Sequence, residues 1–402
     1  MRSQDGTNTS KKSRKTLVVT ILVLLIIVGI SVGVIWWFNG GKEQIAEGGL
    51  GEGGNQPEII YSNFTGYEIA DATLNNSPTF CVQIPNGSTD GARPQAGLTE
   101  AGVVFEAIAE TGITRFAAIF QLQDTYTTLP DGQKQTMMTT PGIIGPIRSL
   151  RPYYLDWDTP FDCTVVHDGG SPEALVAIAQ GGQRNLDENF NYMWKEANPN
   201  RLWNNVFTSP EKLLAFNQGK GYHTSSPKTF PRLTPEELGN QLTQTQCDDA
   251  SIEDCQTPYQ ATSIRTVFTN ISDYIVNYTY DATSNTYRRS YERGGAHLSY
   301  RCPANTTDFA QCGDPVQVAP SAIAIMRVQE STMSDNYHEH IKTLDEGAAY
   351  IFQNGQAIEG TWQKTSQDDQ IKFRNLDGTE IKFVPGQIWI AAIPQFGKVS
   401  WE

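Results

Sequence analysis

The sequence predicts a mixed α/β (α+β) N-terminal domain and a mainly antiparallel β C-terminal domain, carried behind one N-terminal transmembrane helix. Three observations predict it. Proline-started helix caps share the stretch 61–243 with apolar strand-like runs; alternating strands and Asn-Gly or Asp-Gly turns dominate 263–402; and residues 16–38 hold no charged side chain. A chain of 402 residues with 39% hydrophobic and 18% charged residues suffices for one large or two ordinary globular domains. Its formal charge of −14, with no basic block past the N-terminus, excludes a nucleic-acid partner, because phosphate binding needs clustered Lys and Arg.

Residues 1–15 form a basic tail, with Arg2, Lys11, Lys12, Arg14 and Lys15 against Asp5, a net +4 that leaves −18 on the rest. The uncharged run 16–38 is 23 residues long, enough to cross a bilayer, which takes roughly 20 apolar residues as a helix. Trp36 and Trp37 at its far end suit the membrane interface. The basic tail predicts a cytoplasmic N-terminus and an exported body. A cleaved signal peptide has a shorter apolar region and a small-residue cleavage site, whereas this run ends in Trp-Trp-Phe. No cysteine lies within or just after the span, which argues against lipid attachment there. Residues 39–60, rich in Gly and Glu, read as a flexible linker.

In 61–243, the largely apolar runs 103–109 and 113–121 read as strands. Ser171-Pro172, Ser209-Pro210 and Thr234-Pro235 each place a capping side chain before a first-turn proline, and Thr234 with Glu237 forms a capping box. Residues 244–262 read as a cysteine-containing connector. Beyond it, strands are expected at 266–268, 274–280, 286–291, 322–328 and 348–352 and onward to Ile393, with hairpin turns at Asn354-Gly355 and Asp377-Gly378. The cysteines suit an oxidising compartment: Cys247 with Cys255 and Cys302 with Cys312 are spaced for local disulfides, and Cys81 with Cys163 is open as a third pair.

Chemistry gathers in four places. Glu106 and Glu110 lie four apart, both at even positions of an alternating strand, and so share one face. If Thr111-Gly112 is a two-residue turn, Arg115 lies opposite Ile108 and diagonal to both glutamates. Such charges are either an internal salt-bridge cluster or the wall of a ligand site in which one glutamate acts as acid or base. The segment GPIRSLRPYYLD supplies Arg148 and Arg151. In VVHDGGSPEAL a strand runs through His167 into Gly169, Gly170 and the cap Ser171, a glycine loop at a helix start that could hold an anion. RNLDENF adds Asn185, Asp187 and Glu188, and NVFTS adds Asn205. No metal-ligand, Walker or dinucleotide motif is present, so neither a metal nor a cofactor is expected.

The blocks ARPQAGL, ETGITRF, GPIRSLRPYYLD, HDGGSPEAL and RNLDENF, in this order, resemble the bacterial YerB-like exported family, as do GTWQK and LDGTEIKFVPGQIWIAAIP near the C-terminus. The resemblance covers most of residues 60–394. It implies a mixed α/β domain, a smaller β domain and attachment to the outer face of the bacterial membrane, and it adds Arg93 to the recurrent polar positions. Family members in Gram-positive bacteria are often lipoproteins, whereas this chain shows an apolar span, and where they tend to have His-Asn this chain has Asn204-Asn205. The combined expectation is an envelope protein binding a polar or anionic ligand such as a cell-wall fragment. Arg93, Arg115, Arg148, Arg151 and the Gly169-Gly170-Ser171 loop would hold the anion, with Asn185, Asp187 and Glu188 on hydroxyls. A competing reading is a cell-wall glycan hydrolase using Glu106 or Glu110 with His167 or Asp187. A third is a structural partner of other envelope proteins.

Overall fold

The computed structural model describes residues 59–244 and 259–402. The tail, the 16–38 span, linker residues 39–58 and connector residues 245–258, with Cys247 and Cys255, lie outside them. Among the described residues no helix is long and apolar enough to cross a membrane.

Five strands and two helices make up the first part of the sheet and its cover. Strands β1 (Thr79–Pro85), β2 (Val103–Glu110) and β3 (Ile113–Gln121) are followed by helix α1 (Pro152–Asp158), strand β4 (Cys163–His167), helix α2 (Pro172–Gly181) and strand β5 (Arg184–Asp187). The hairpin β2–β3 turns at Thr111 (φ 47°) and Gly112 (φ 81°), the left-handed pair that a two-residue turn matching strand twist requires. Ser171 caps α2 by accepting from the Ala174 amide, and Thr234 and Glu237 exchange side-chain bonds at the start of Pro235–Gln244, so the caps form as the sequence predicts.

The C-terminal part contributes β6 (Ser263–Val267), β7 (Ile275–Asp281), β8 (Thr286–Tyr291), β9 (Ala322–Val328), β10 (Glu346–Gln353), β11 (Gln356–Gln363), β12 (Ile388–Pro394) and β13 (Lys398–Trp401). Asn354 and Gly355 make the left-handed turn between β10 and β11. These strands do not close on themselves. β12 runs parallel to β9 on one side and to β2 on the other, so strands from both parts form one 11-stranded sheet, with β11-β10-β9-β12-β2-β3-β1-β4-β5 in spatial order and the short strands Tyr259–Gln260 and Lys372–Asn375 both paired with β11. A composition break at 244–262 cannot reveal this, because the β2–β12 ladder joins residues almost the whole domain apart in sequence.

One face of this sheet packs beneath α1 and α2 through Tyr153, Tyr154, Trp157, Ala174 and Ile178. The other is covered by the Pro210–Lys220 helix and by a second, antiparallel sheet of β6, β7, β8, β13 and the short strand Gly295–Ala296. Cys81 is bonded to Cys163, fastening β1 to its parallel neighbour β4, and Cys302 is bonded to Cys312.

Candidate functional site

Strand β2 decides where the acidic residues go. A bulge between Ile108 and Glu110 adds one residue to β2, so Arg115 pairs with Ala107 rather than Ile108, and Phe116 pairs with Glu106. One extra residue reverses the alternation beyond it. The expectation that Glu106, Glu110 and Arg115 share a face is therefore corrected. Glu106 points with Val104 and Phe116 toward the second sheet, whereas Glu110 and Arg115 meet on the α1 side.

Glu106 is wholly enclosed. Its two oxygens accept from Arg289 Nη2 at 2.9 Å each, one accepts from Thr114 Oγ1 at 2.9 Å, and the other from Trp389 Nε1 at 2.9 Å. Both Glu106 and Arg289 have 0% side-chain exposure. The Arg289 guanidinium lies 4.6 Å from the Trp389 ring centre and 4.7 Å from that of Tyr291, an aromatic cage that holds a cation without water. Its Nη1 donates to His297 Nδ1 at 2.6 Å, and His297 Nε2 then donates to Gln95 Oε1 at 3.0 Å. Burial, then the charges of Arg289 and Arg93, hold His297 far below the usual imidazole range, so it stays neutral with its proton on Nε2.

A second branch leads outward from the same carboxylate. Thr114 Oγ1 accepts from Asn86 Nδ2 at 2.7 Å, and Asn86 Oδ1 accepts from Tyr291 Oη at 2.6 Å and Arg93 Nε at 2.8 Å. Arg93 stacks 3.5 Å from the Tyr291 ring centre, and its Nη2 donates to the carbonyls of Asn86 and Asp273. A cavity of ≈ 260 Å³ opens here, lined by Ser88, Arg93, Asp273, Tyr291, Arg293 and His297. Arg93 makes no ion pair among the described residues, and Arg293 is 76% exposed, 3.9 Å from an Asp273 oxygen.

The remaining predicted residues fall into two other clusters. Glu110 accepts from Arg115 Nη2 and Arg151 Nη2, each at 2.7 Å, and Arg115 Nη1 donates to the Ser149 carbonyl at 2.6 Å. Burial pushes the Glu110 pKa up, but the two guanidiniums outweigh it and leave it below the usual carboxylate range. A carboxylate so held is a poor general acid at neutral pH.

His167 is sealed at the end of β4. Nδ1 faces the Gly169 carbonyl at 2.8 Å and Asp187 Oδ1 at 3.2 Å, while Nε2 faces Asn185 Oδ1 at 2.8 Å. Both ring nitrogens are thus engaged, which favours the protonated ring and leaves neither nitrogen free for a base mechanism. Burial opposes that charge, yet the bonds to Asp187, Gly169 and Asn185 outweigh it and raise the pKa. The glycine loop behaves likewise. Gly169 (φ 71°) takes a left-handed turn whose N–H donates to Asp187 Oδ1 at 2.8 Å, and the Ser171 N–H goes to the Leu150 carbonyl at 3.1 Å. The expected anion cradle at Gly169, Gly170 and Ser171 is thus corrected: it is filled by the protein's own Asp187. Arg148 lies near Asp168, Glu188 projects beside Gly169, and the Asn205 carbonyl accepts from the Glu196 amide; none of the three reaches the Arg93 cavity.

A testable consequence follows from the His167 sign. Its folded pKa lies above the unfolded value of about 6.5, so its contribution to stability is complete below that pH and is lost as pH rises through the folded pKa. Urea denaturation should therefore show the stability difference between the wild type and His167→Gln shrinking from pH 6 to pH 9. A pH-independent difference would contradict the charged imidazolium.

Two stretches of the chain match domains of known families. Residues 64–223 match the N-terminal domain, and residues 264–390 the C-terminal domain, of the family described as a protein of unknown function, DUF3048. The chain belongs to this YerB-like family. YerB of Bacillus subtilis (strain 168), named as a candidate lipoprotein, is 29% identical over 314 residues, spanning 77% of this chain and 80% of its own length. The crystal structure of Bacillus subtilis YerB matches with a TM-score of 0.63 at 26% identity, covering 85% of this chain and 99% of that one.

The buried ion pair joins the two domains of this YerB-like chain: Glu106 belongs to the N-terminal match, Arg289, His297 and Trp389 to the C-terminal one. Sequence reading missed Asn86, Gln95, Arg289, Tyr291, His297 and Trp389. One signal was available. In β8, Tyr287, Arg289 and Tyr291 alternate on one face, and an arginine between two tyrosines on an inward face must find a buried partner.

Proposed function

We propose that this YerB-like protein is a membrane-anchored, extracytoplasmic binding protein. Its described body would capture a polar ligand bearing an anionic group, such as a cell-wall glycan or peptide fragment, at the Arg93 cavity. One observation carries the reading: Arg93 lines a cavity with Arg293 while lacking any carboxylate partner among the described residues. Guanidinium groups hold carboxylate and phosphate by paired hydrogen bonds, and Arg93 Nη1 is uncommitted.

The uncharged run 16–38 supports a single-pass anchor with the N-terminus inside. The name of the B. subtilis relative and the two disulfides support an outside location, where disulfides persist. The hydrolase alternative has less support. Glu106 is enclosed, Glu110 is bound by two arginines, and both His167 nitrogens are committed.

The full chain in detergent is expected to sediment with purified peptidoglycan without releasing soluble fragments. Arg93→Ala should weaken binding about tenfold or more, since a hydrogen bond to a charged group contributes ~1.5–3 kcal/mol. The exposed Arg293→Ala gives a second variant that leaves the buried network intact. Released fragments would restore the lytic reading, and no sedimentation would remove both cell-wall readings.

A further inference from the structure

We propose that the cavity beside the Glu330–Thr332 and Glu339–Ile341 strands binds a primary alkylammonium group between the carboxylates of Glu330 and Glu339. This site is separate from the Arg93 cavity. The two short strands pair antiparallel, with Glu330 opposite Ile341 and Thr332 opposite Glu339, so the two glutamates lie diagonally on one face of the ladder. Both line a cavity of ≈ 240 Å³ whose wall includes Ile108, Thr269, Thr332 and Phe396.

Two observations besides the acidity point to a cation. Glu339 is only 8% exposed and lines the cavity, yet no donor among the described residues hydrogen-bonds its carboxylate. Glu330 Oε2 is likewise buried without a partner. Buried carboxylates are ordinarily paired, and here the protein's own cations are committed elsewhere. Arg115 and Arg151 hold Glu110, His338 holds Asp335, Lys342 holds Asp345, and the nearby Tyr153 hydroxyl donates to the Ile108 carbonyl. Burial and then the facing Glu339 push the Glu330 pKa up to about 8, as expected where two carboxylates lack a counter-charge.

The chemistry favours an ammonium over a metal ion. Among the described residues no three His, Cys, Asp or Glu side chains converge on a metal position, whereas Ca²⁺ takes about 6–8 oxygen ligands. An ammonium needs only about three acceptors. Two carboxylates and a hydroxyl from Thr332 or Thr269 supply them, while Ile108 and the Phe396 ring, 65% exposed at the rim, suit the alkyl chain.

Calorimetric titration of the full chain in detergent with n-pentylammonium chloride tests the site. Saturable binding at pH 8.5 is expected, weakening about tenfold or more at pH 6.5 as Glu330 protonates. Glu330→Gln and Glu339→Gln should each abolish it. Both variants should melt no lower than wild type at pH 8.5, because each removes one of two facing like charges. Equal binding of n-pentanol, unchanged binding in both variants, or binding of CaCl2 in place of the amine would each overturn the proposal.

Discussion

Glu106→Gln is expected to destabilise the folded protein by roughly 3–5 kcal/mol, the usual cost of removing one partner of a buried pair and leaving the other charge uncompensated. Arg289 has 0% exposure, and its cage of Tyr291 and Trp389 admits no substitute anion. The glutamine keeps the shape of the side chain, so the loss reports charge rather than a cavity. It would also leave the Trp389 and Thr114 donors with a weaker acceptor. Guanidinium denaturation measures the effect. Arg289→Met, which retains apolar volume in the aromatic cage, strands the opposite charge and should cost a similar amount. The double variant should cost clearly less than the two losses added, because neither charge is then left alone. Additive losses would show that the pair is not an isolated buried unit, and a loss below about 1 kcal/mol for Glu106→Gln would show that water reaches Arg289.

Because this pair spans the two family domains, its loss should be felt across the whole sheet rather than in one half. Glu106 sits on β2 and Trp389 on β12, neighbours in space and 283 residues apart in sequence. That separation explains what was legible and what was not. The hairpin 103–121, its Thr111-Gly112 turn and the helices starting at Pro172, Pro210 and Pro235 follow from local chemistry and read directly. The bulge between Ile108 and Glu110 does not, because a one-residue shift is decided by what each face must bury, and that depends on β12 and on the second sheet. The site follows the same rule. Arg93 was accessible through its motif, but its setting is made by Tyr291 and His297 from the far half of the chain. The glycine loop at Gly169 read as a cradle for an anionic ligand, but its N–H is taken by Asp187, eighteen residues on, a partner that the loop's own sequence does not announce.

Removing the Cys81–Cys163 bond is the second large effect expected. The bond closes a sequence separation of 82, and the chain-entropy account gives about 4–5 kcal/mol for a loop of that length against about 3 kcal/mol for the separation of 10 at Cys302–Cys312. Cys81 and Cys163 are both buried between β1 and β4, so the Cys81→Ala/Cys163→Ala double variant removes little volume and the loss should come chiefly from the freed unfolded chain. The comparison is sharper than either value: in guanidinium, the Cys81/Cys163 double variant should lose more stability than Cys302→Ala/Cys312→Ala, by about 1–2 kcal/mol. Equal losses would mean that the unfolded chain already keeps β1 near β4, so that the cross-link restrains little. The expected order has a consequence for location. Typical domains are stable by only about 5–15 kcal/mol, and a chain that loses most of the smaller figure on reduction is poorly suited to a reducing compartment. Stability under dithiothreitol therefore tests the proposed extracytoplasmic location without reference to the anchor: a sharp loss fits an oxidising exterior, and indifference to reduction removes this support for it.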